Sequence, residues 1–474
     1  MTPHVSLAAI ATALPSARAA RVIGDETTAI AGITHVSSHV SPGTLFACVR
    51  GAHVDGHTFA HRAVDAGAAG LLVDHVVDID VPQIVVDDTR LALGPAAAAA
   101  CGRPSESLAV VGITGTNGKT TTSHLLAAIL EHAGRSTGII GTLSGGHTTP
   151  EAPELQTRLA EHLDSGAQAV VMEVSSHALA LHRVDGTRFR AAVFTNLGRD
   201  HLDLHHSVEE YFRAKASLFD PGLSDVGVTN VDDAHGLLLL DAAPIPMFGY
   251  SATDATDVDI GVGHHAFTWR GARLRVGLGG SFNVMNTLAA ATTAATLGVD
   301  TDTIAAGLAT VGAVPGRFER IDTGDRGFDV IVDYAHTPEG LEELIGAARK
   351  VRPDGRLLLV FGCGGDRDHA KRPQMGVTAV RLADWVAVTS DNPRSEQPLA
   401  IIDEVLNGML PAERVAVLVE PDRRTAIAAA LTDARRGDIV LLAGKGHETT
   451  QTIGDEVIEF DDRAVARNLL GDTS

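Results

Sequence analysis

The chain of 474 residues is poor in aromatic side chains and in positive charge, and each shortage excludes a class of protein. Aromatic residues make up only 4 %, so alanine, valine and leucine must fill the core. The net charge of −21 argues against nucleic acid as a partner, because a surface that binds many phosphates needs an excess of lysine and arginine. No apolar run approaches the roughly 18 residues of a membrane span, so we expect no membrane insertion.

Cysteine is also scarce. Cys48, Cys101 and Cys363 are odd in number and lack the spacing of metal ligands. This usage is typical of a reducing compartment, and we expect a cytoplasmic protein. The first twenty residues contain an apolar stretch without a basic segment before it, which predicts mature sequence rather than a signal peptide.

The stretch from Leu108 to Leu130 predicts a strand, a glycine turn and a helix, with Gly134 as the stop. A triphosphate needs this order, because glycines let backbone N–H groups approach and the helix start offers unpaired donors. We expect Lys119 to reach the β- and γ-phosphates and the Thr120 hydroxyl to bind Mg²⁺. The candidate ATP-binding residues in this turn are Gly115, Thr116, Asn117, Gly118, Lys119, Thr120 and Thr121.

This turn departs from the general phosphate-loop pattern, which has a glycine where Ile113 stands. Gly112 and Gly115 are nearby instead, so we expect a variant loop. The alternative is a glycine turn that binds nothing. It explains the glycines but not the Lys-Thr-Thr run that opens the helix.

Strands and helices alternate along the chain, which predicts an α/β fold of about three domains. We place the domains at 1–102, 103–314 and 315–474. The first is a small α/β unit with strands at 45–50, 70–74 and 83–88 and a helix at 57–68. The second should form a mostly parallel, doubly wound sheet.

Polar residues follow two strands of the predicted central sheet. Glu173 ends one apolar run, and His201 follows the next. Ligands in open α/β sheets bind at the carboxyl ends of strands, so we expect both residues beside Thr120 for metal binding. Lys215 lies in an apolar helical pattern, and composition alone predicts a packed stem with its ammonium in solvent.

Four strands of the third segment also end in polar loops. The clusters are Asp333 and His336, Asp366 and Arg367, Asp391 to Arg394, and Lys445 to Glu448. Their convergence on one face would form a site.

At this point the motifs GTNGKTT, MEVSSH, NLGRDHLDLH, FNVMN, PGRFE, DYAHTP, GCGGDRDHAKRP, DNPRSE and GKGHE can be read together. In this order they resemble the Mur ligases, most closely the members that add a diamino acid. The resemblance runs from about residue 30 to 463. It implies a UDP-sugar-binding domain, a central ATPase with a P-loop-type sheet, and a Rossmann-like C-terminal domain that receives the amino acid.

The resemblance also implies a reaction. The D-glutamate carboxylate of UDP-MurNAc-L-Ala-D-Glu attacks the γ-phosphate of ATP, which gives an acyl phosphate and ADP. The amine of the diamino acid then attacks the acyl carbon, and phosphate leaves. We expect a monomer that acts on these small molecules.

By the same resemblance, Thr120 and Glu173 hold one Mg²⁺ and His201 helps to hold a second. Lys215, fourteen residues after His201, matches a lysine that CO₂ converts to N6-carboxylysine. Arg317 would act with Lys119 on phosphate charge, Asn286 would meet the adenine and Asp333 the ribose.

The nucleotide-sugar residues by resemblance are Ser37, Thr148, Thr149, Ser175 and Arg183, and His336 matches a residue between nucleotide and substrate. Val36, Ser38 and Leu181 depart from the family pattern. From composition alone, the turn around Ser37 is equally consistent with a plain surface turn.

The DNPR motif resembles that of the diaminopimelate-adding members, and this resemblance predicts meso-diaminopimelate as the incoming amino acid. Its second carboxylate calls for a planar cation with two donors, which Arg394 supplies. The remaining residues of this pocket are Arg367, Asp391, Asn392, Gly444 and Glu448. Alternatives are a plain turn holding Arg394 against a surface acid, L-lysine as the substrate, a folylpolyglutamate-synthetase-like ligase, and a silent regulator with this fold.

Overall fold

The computed structural model describes residues 5–14, 20–51, 54–198, 205 and 207–471. The chain forms two compact units. The first comprises Met1–Gly115, Ala133–Leu197 and Leu204–Gly249, and the second comprises Thr116–His132, Gly198–Asp203 and Tyr250–Ser474. The domain boundaries predicted after residues 102 and 314 stay predictions.

The first unit begins with a five-stranded sheet in the order β2-β7-β6-β5-β4, parallel except for β2. The strands of this sheet are β2 (Arg21–Ile23), β4 (Gly32–Thr34), β5 (Thr44–Ala47), β6 (Gly70–Val73) and β7 (Gln83–Val85). Two further strands, β1 (Val5–Ser6) and β3 (Ala29–Ile30), form a separate antiparallel pair. The helices are Leu7–Ala13, Ala60–Asp65, Thr89–Ala100 and Pro104–Ser107. The three predicted strands are confirmed but shorter. The predicted helix at 57–68 opens as a 3-10 turn, Gly56–Phe59.

A second sheet of the same unit has six strands in the order β13-β12-β11-β8-β10-β9. They are β8 (Ala109–Thr114), β9 (Thr137–Ile140), β10 (Ala169–Glu173), β11 (Ala191–Phe194), β12 (Gly227–Asn230) and β13 (Met247–Tyr250). The helices are Ala152–Asp164, Ser176–Ala180, Val208–Ala216 and Ala234–Ala242. Every pairing from β9 through β12 is parallel, as predicted. Strands of this kind are apolar throughout because both faces are buried.

The second unit contains the helix Lys119–His132, which packs against the helices Phe282–Thr296 and Thr301–Ala309. An antiparallel sheet lies in the same unit, made of β14 (Thr256–Ile260), β15 (His265–Trp269) and β16 (Ala272–Val276).

The last sheet has the order β17-β18-β22-β19-β20-β21 and is parallel except for β17. Its strands are β17 (Glu319–Ile321), β18 (Asp329–Asp333), β19 (Leu357–Phe361), β20 (Trp385–Val388), β21 (Leu418–Val419) and β22 (Ile439–Ala443), and β23 (Thr450–Ile453) and β24 (Glu456–Glu459) form a hairpin. The helices are Pro338–Val351, Lys371–Leu382, Pro398–Leu406, Pro411–Arg414, Arg423–Asp433 and Asp462–Leu470.

Apolar clusters cover both faces of this last sheet, as a doubly wound sheet requires. The neighbouring strands β18, β22, β19 and β20 run in one direction, so their carboxyl ends share one edge. The predicted convergence of four polar strand ends is therefore confirmed.

No helix in the described ranges combines the length and the apolar content that crossing a bilayer demands.

Candidate active site

The predicted strand, glycine turn and helix are confirmed: β8 ends at Thr114 and the helix begins at Lys119. Two glycines of the turn have left-handed backbone, with φ of +148° at Gly115 and +87° at Gly118. A Cβ at Gly115 would lie 1.9 Å from the Thr195 hydroxyl oxygen, and one at Gly118 would lie 2.3 Å from Oδ1 of Asn286. Only glycine fits either position, because a side chain there would meet Thr195 or Asn286.

Gly112 is not part of this loop. It lies within β8, where a Cβ would meet the Phe189 ring at 2.9 Å. Its small size serves strand packing, and the variant loop is built on Gly115 and Gly118.

In the first unit, Glu173 ends β10 in register with Ile113 of β8, two residues before Gly115. The side chain is 1 % exposed. The Thr142 backbone N–H donates to Oε1 at 2.9 Å, and the Thr142 hydroxyl donates to Oε2 at 3.1 Å. A buried carboxylate held by oriented donors is a hard oxygen ligand of the kind that Mg²⁺ prefers.

Lys215 belongs to the same unit and is 1 % exposed. Its Nζ donates to the Gly115 carbonyl oxygen at 2.9 Å and lies 4.4 Å from the centre of the Tyr211 ring. The expectation of an ammonium in solvent is therefore wrong. The helix Val208–Ala216 turns this face inward, and the amine reaches the first residue of the glycine turn. His201, the partner predicted for metal binding, lies outside the described residues.

Four of the candidate nucleotide-sugar residues, Thr148, Thr149, Ser175 and Arg183, belong to one hydrogen-bonded group. The Thr149 hydroxyl donates to the Glu173 carbonyl oxygen at 2.9 Å and accepts from the Ser175 backbone N–H at 2.9 Å. Arg183 donates to the Thr149 carbonyl oxygen at 3.1 Å. The Thr148 hydroxyl lies 3.1 Å from that of Thr142, which also holds Glu173.

Ser37 opens a 3-10 turn, Ser37–His39, in the N-terminal part of this unit and is half-buried. Burial lowers the pKa of His35, two residues earlier, while the nearby Glu151 raises it and Arg183 lowers it. Arg183 forms an ion pair with Glu151, with an Nε–Oε1 distance of 2.9 Å.

In the second unit, Arg317 contacts the start of the helix Lys119–His132, which follows the glycine turn and is called the loop helix below. Its Nη2 donates to the Thr120 hydroxyl oxygen at 3.2 Å, and its guanidinium lies 4.5 Å from the centre of the Tyr334 ring. Lys119 donates from Nζ to the Thr116 carbonyl oxygen at 2.8 Å. Thr121, two residues after Lys119 in the helix, is buried. Asn117 lies in the turn that precedes the helix.

Asn286 and Asp333 are both placed by protein contacts in this unit. Asn286 donates from Nδ2 to Asn283 Oδ1 at 2.8 Å while its Oδ1 faces Gly118. Burial raises the pKa of Asp333, whose oxygens accept from the Phe318 N–H at 2.7 Å and the Ala335 N–H at 2.8 Å. Asp333 therefore holds the turn that carries Arg317, and the predicted adenine and ribose contacts stay predictions.

His336 follows the same strand end and is half-buried. Its Nδ1 lies 2.9 Å from the Tyr334 carbonyl oxygen. The His336 carbonyl oxygen accepts a hydrogen bond of 2.9 Å from Nζ of Lys371.

The DNPR loop, residues 391–394, lies at the carboxyl edge of the last sheet. Asn392 donates to Glu448 at 2.7 Å, and Lys445 donates to the same oxygen at 3.3 Å. Burial raises the pKa of Asp391, and a Cβ at Gly444 would lie 2.7 Å from its Oδ2.

Arg394 has left-handed backbone with φ of +52°. Its Nη1 donates to the Gly365 carbonyl oxygen at 2.6 Å, and among the described residues it makes no ion pair within 4 Å. Arg367 is exposed, and its Cγ lies beside Gly364. Both arginines are thus at the edge where four strands end.

Two ion pairs in this region, each with a fully buried arginine, were not predicted from the sequence. Arg423 binds Asp462 at 2.8 and 2.6 Å with both side chains fully buried, and Arg372 binds Glu396. Arg372 belongs to the GCGGDRDHAKRP motif, and its place in that motif is the one feature of the sequence that could have indicated a role for it. Its partners lie 24 and 32 residues away, so spacing alone does not pair them.

Three family models match consecutive parts of the chain. They are described as "Mur ligase family, catalytic domain" at residues 29–101, "Mur ligase middle domain" at 113–294, and "Mur ligase, glutamate ligase domain" at 316–446. Together they cover most of the chain.

A relative from Syntrophomonas wolfei, named UDP-N-acetylmuramoyl-L-alanyl-D-glutamate–2,6-diaminopimelate ligase, is 45 % identical over 93 % of this chain and 94 % of its own. A solved structure with the same protein name is 31 % identical, covers 99 % of both chains and has a TM-score of 0.68. A folylpolyglutamate synthase from Mycobacterium tuberculosis, solved with ADP and AMPPCP, has a TM-score of 0.62 at 20 % identity, covers 81 % of this chain and 95 % of its own, and shows a likeness of fold alone.

Proposed function

The chain belongs to the Mur ligase family, a family of ATP-dependent ligases, and on that basis we propose that it joins meso-diaminopimelate to the D-glutamate of UDP-MurNAc-L-Ala-D-Glu. The product is the UDP-MurNAc-tripeptide of peptidoglycan synthesis. The relatives that match over nearly the whole chain carry the name of this activity, which supports the proposal.

The reaction proceeds in two steps. The D-glutamate carboxylate attacks the γ-phosphorus of ATP, the bond to ADP breaks, and an acyl phosphate forms. The diaminopimelate amine, having lost its proton, then attacks the acyl carbon and phosphate leaves. A carboxylate that approaches a polyphosphate meets like-charge repulsion, so cations at the γ-phosphate lower the barrier.

The contact between Arg317 and Thr120 is the observation that supports this proposal most strongly. They are 197 positions apart in sequence, yet the guanidinium lies 3.2 Å from the hydroxyl at the start of the loop helix. Lys119 precedes Thr120 on that helix. In the proposal, Arg317 and Lys119 balance charge on the transferred phosphoryl group, while the helix start and the glycine turn bind the phosphates.

Mg²⁺ fits the donor set of the loop and of β10. The Thr120 hydroxyl and the buried Glu173 carboxylate are hard oxygen ligands, and N6-carboxylysine at Lys215 would add another. We assign His201 to a second ion. When bound, the ion would neutralise phosphate charge.

We propose that the amino acid binds, and is selected, at the edge of the last sheet where β18, β22, β19 and β20 end. Arg394 would bind the distal carboxylate as a two-donor fork, with Arg367 beside it and Glu448 taking the ammonium. L-Lysine lacks that carboxylate, so we propose diaminopimelate as the preferred substrate. Asn392 donates to both Asp391 and Glu448, and Gly444 leaves room for the Asp391 carboxylate, so we place these residues in the same pocket.

The UDP-sugar peptide is proposed to contact Ser37, Thr148, Thr149, Ser175 and Arg183. A reaction that consumes ATP and a nucleotide sugar fits the cytoplasm, and we propose a monomer there. The folylpolyglutamate-type alternative shares the fold, but the match of a separate N-terminal family model at 29–101 favours the Mur reaction.

Phosphate release tests the proposal directly. We expect release from ATP only when UDP-MurNAc-L-Ala-D-Glu and meso-diaminopimelate are both present, with omission of either as the control. Release with a folate substrate and glutamate instead would contradict the proposal, and so would a chain that is inactive with every combination.

A further inference from the structure

Arg372 is a fully buried arginine at the centre of a partly exposed polar cluster beside the proposed amino-acid site. His369, Glu396 and Glu404 group their side chains as metal ligands would. The position that an ion would take is filled instead by the Arg372 guanidinium, whose side chain is fully buried. It binds Glu396 through two parallel bonds of 2.8 Å and Glu404 through one of 3.0 Å. This pairing lowers the pKa of Glu396 to about 2, so the carboxylate is ionised at any working pH.

The cluster ties two loops to the helix Lys371–Leu382. Arg372 also donates from Nη2 to the Gly364 carbonyl oxygen at 3.1 Å, in the glycine loop that follows β19. Glu396 accepts from the Asp366 backbone N–H at 2.6 Å, in the same loop. Because Glu396 itself belongs to the loop after β20, one guanidinium fixes both loops at once.

Further contacts join the two loops at Arg394. The Ser395 hydroxyl donates to Asp366 at 2.6 Å. A Cβ at Gly365 would lie 1.8 Å from the Pro393 carbonyl oxygen, so only glycine permits this approach. Arg394 donates to the Gly365 carbonyl oxygen at 2.6 Å. Gly365 lies between Gly364 and Asp366, which bind Arg372 and Glu396.

Burying the Arg372 guanidinium costs desolvation energy that an apolar side chain would avoid. What the cluster achieves here is a fixed geometry for Arg394, two residues from Glu396, and for Arg367, on the loop that Glu396 holds. We propose that Arg372 and Glu396 are positioning residues that aim Arg394 and Arg367 at the distal carboxylate of the incoming amino acid. This inference rests on the proposed function and names the origin of its selectivity.

The test compares Glu396→Gln and Arg372→Lys with wild type. Glu396→Gln keeps the shape and removes the charge, and Arg372→Lys keeps the charge and removes the fork. For both we expect the KM for meso-diaminopimelate to rise about tenfold or more, while kcat at saturation stays within about threefold and the KM for ATP is unchanged. Preference for diaminopimelate over L-lysine should fall by a similar factor.

Asp438→Asn is the matched control. Asp438 pairs with Arg356 at 2.7 Å, just before β22 and β19 begin, at the opposite edge of the same sheet. It should lower the melting temperature as the test variants do but leave the KM for diaminopimelate unchanged. Equal KM values in all three variants, or a rise in every KM that follows the loss of stability, would overturn the inference.

A double-mutant cycle gives a readout that a purely structural role would not move. If Glu396 acts through Arg394, combining Glu396→Gln with Arg394→Ala should raise the KM for diaminopimelate little beyond Arg394→Ala alone. Additive effects would refute the coupling. A wild type that does not use diaminopimelate would instead refute the proposed function, so the two failures are distinguishable.

Discussion

At the scale of single residues, Lys119 is the most direct test of the phosphate loop. It opens the loop helix, and its ammonium lies 2.8 Å from the Thr116 carbonyl oxygen. Lys119→Ala removes a charge that we propose contacts the transferred phosphoryl group, so we expect kcat to fall about 100-fold or more. The melting temperature should stay close to that of wild type. Ligation at most of the wild-type rate would show that ATP binds elsewhere.

Lys215 is expected to carry a CO₂-derived carbamate. A free ammonium is a poor neighbour for Mg²⁺, whereas a carbamate supplies an anionic oxygen and keeps one N–H for the Gly115 carbonyl oxygen. We expect Lys215→Ala to be inactive and to regain activity with an added short-chain carboxylic acid. Lys350→Ala, at an exposed position, should behave as wild type. An active Lys215→Ala enzyme without added acid would contradict the assignment, as would a bare amine in a high-resolution Mg²⁺ complex.

The environment of these residues was only partly predictable from sequence. Glu173 follows an apolar run that can only be a buried strand, so its place at the strand end was foreseeable. Lys215 was not, because a packed lysine stem and a fully buried lysine share the same helical spacing. The Arg372 cluster depends on how two loops meet, which local patterns do not encode.

At the scale of elements, His265 joins β15 to the helix Phe282–Thr296, which packs on the loop helix. Its ring nitrogens lie 2.5 Å from the Leu278 carbonyl oxygen and 2.8 Å from the Thr287 hydroxyl. Burial lowers the pKa of His265 to about 4 from its ordinary 6.5. The ring is therefore neutral in the folded protein at pH values where the unfolded chain is protonated.

This depressed pKa gives a pH dependence with a definite sign. The stabilisation is fully present above pH 6.5 and is lost progressively as the pH falls toward 4. At pH 5 we expect wild type to have lost about 2 kcal/mol from this group relative to pH 7. Urea unfolding at both pH values should therefore show a smaller loss for His265→Gln. His264→Ala, at an exposed neighbour, should lose as much as wild type. Identical losses in wild type and His265→Gln would refute this linkage.

The elements themselves were largely predictable, because strands with both faces buried are apolar throughout and end in polar loops. Their lengths were overestimated in the N-terminal sheet, since the apolar pattern continues into residues that have already left the ladder, as at Val49 after β5.

At the scale of the whole molecule, sequence predicted three consecutive segments, and three family models match within them. Compactness groups the chain differently, because the loop helix Lys119–His132 packs with helices from 282–309 and the N-terminal helix Thr89–Ala100 packs with Ala152–Asp164. Such pairings join parts that are distant in sequence, and local periodicity carries no information on them.

The proposed preference for an amino acid with a distal carboxylate depends on all three scales. In the proposal, Arg394 supplies the two-donor fork, the two loops hold Arg394, and the last sheet brings the loops to one edge. A charge-assisted two-donor contact is worth about 2 kcal/mol, which corresponds to about 30-fold in kcat/KM. Arg394→Ala should remove most of that factor and leave the reaction with L-lysine nearly unchanged.

One competition reaction measures this directly. The enzyme is given ATP, UDP-MurNAc-L-Ala-D-Glu and equal concentrations of meso-diaminopimelate and L-lysine, and the two tripeptide products are separated by mass at early times. Their ratio equals the ratio of the two kcat/KM values. We predict at least about 30 diaminopimelate products for each lysine product with wild type, and a ratio near one with Arg394→Ala. Equal products from wild type, or an unchanged ratio in Arg394→Ala, would contradict the proposed specificity.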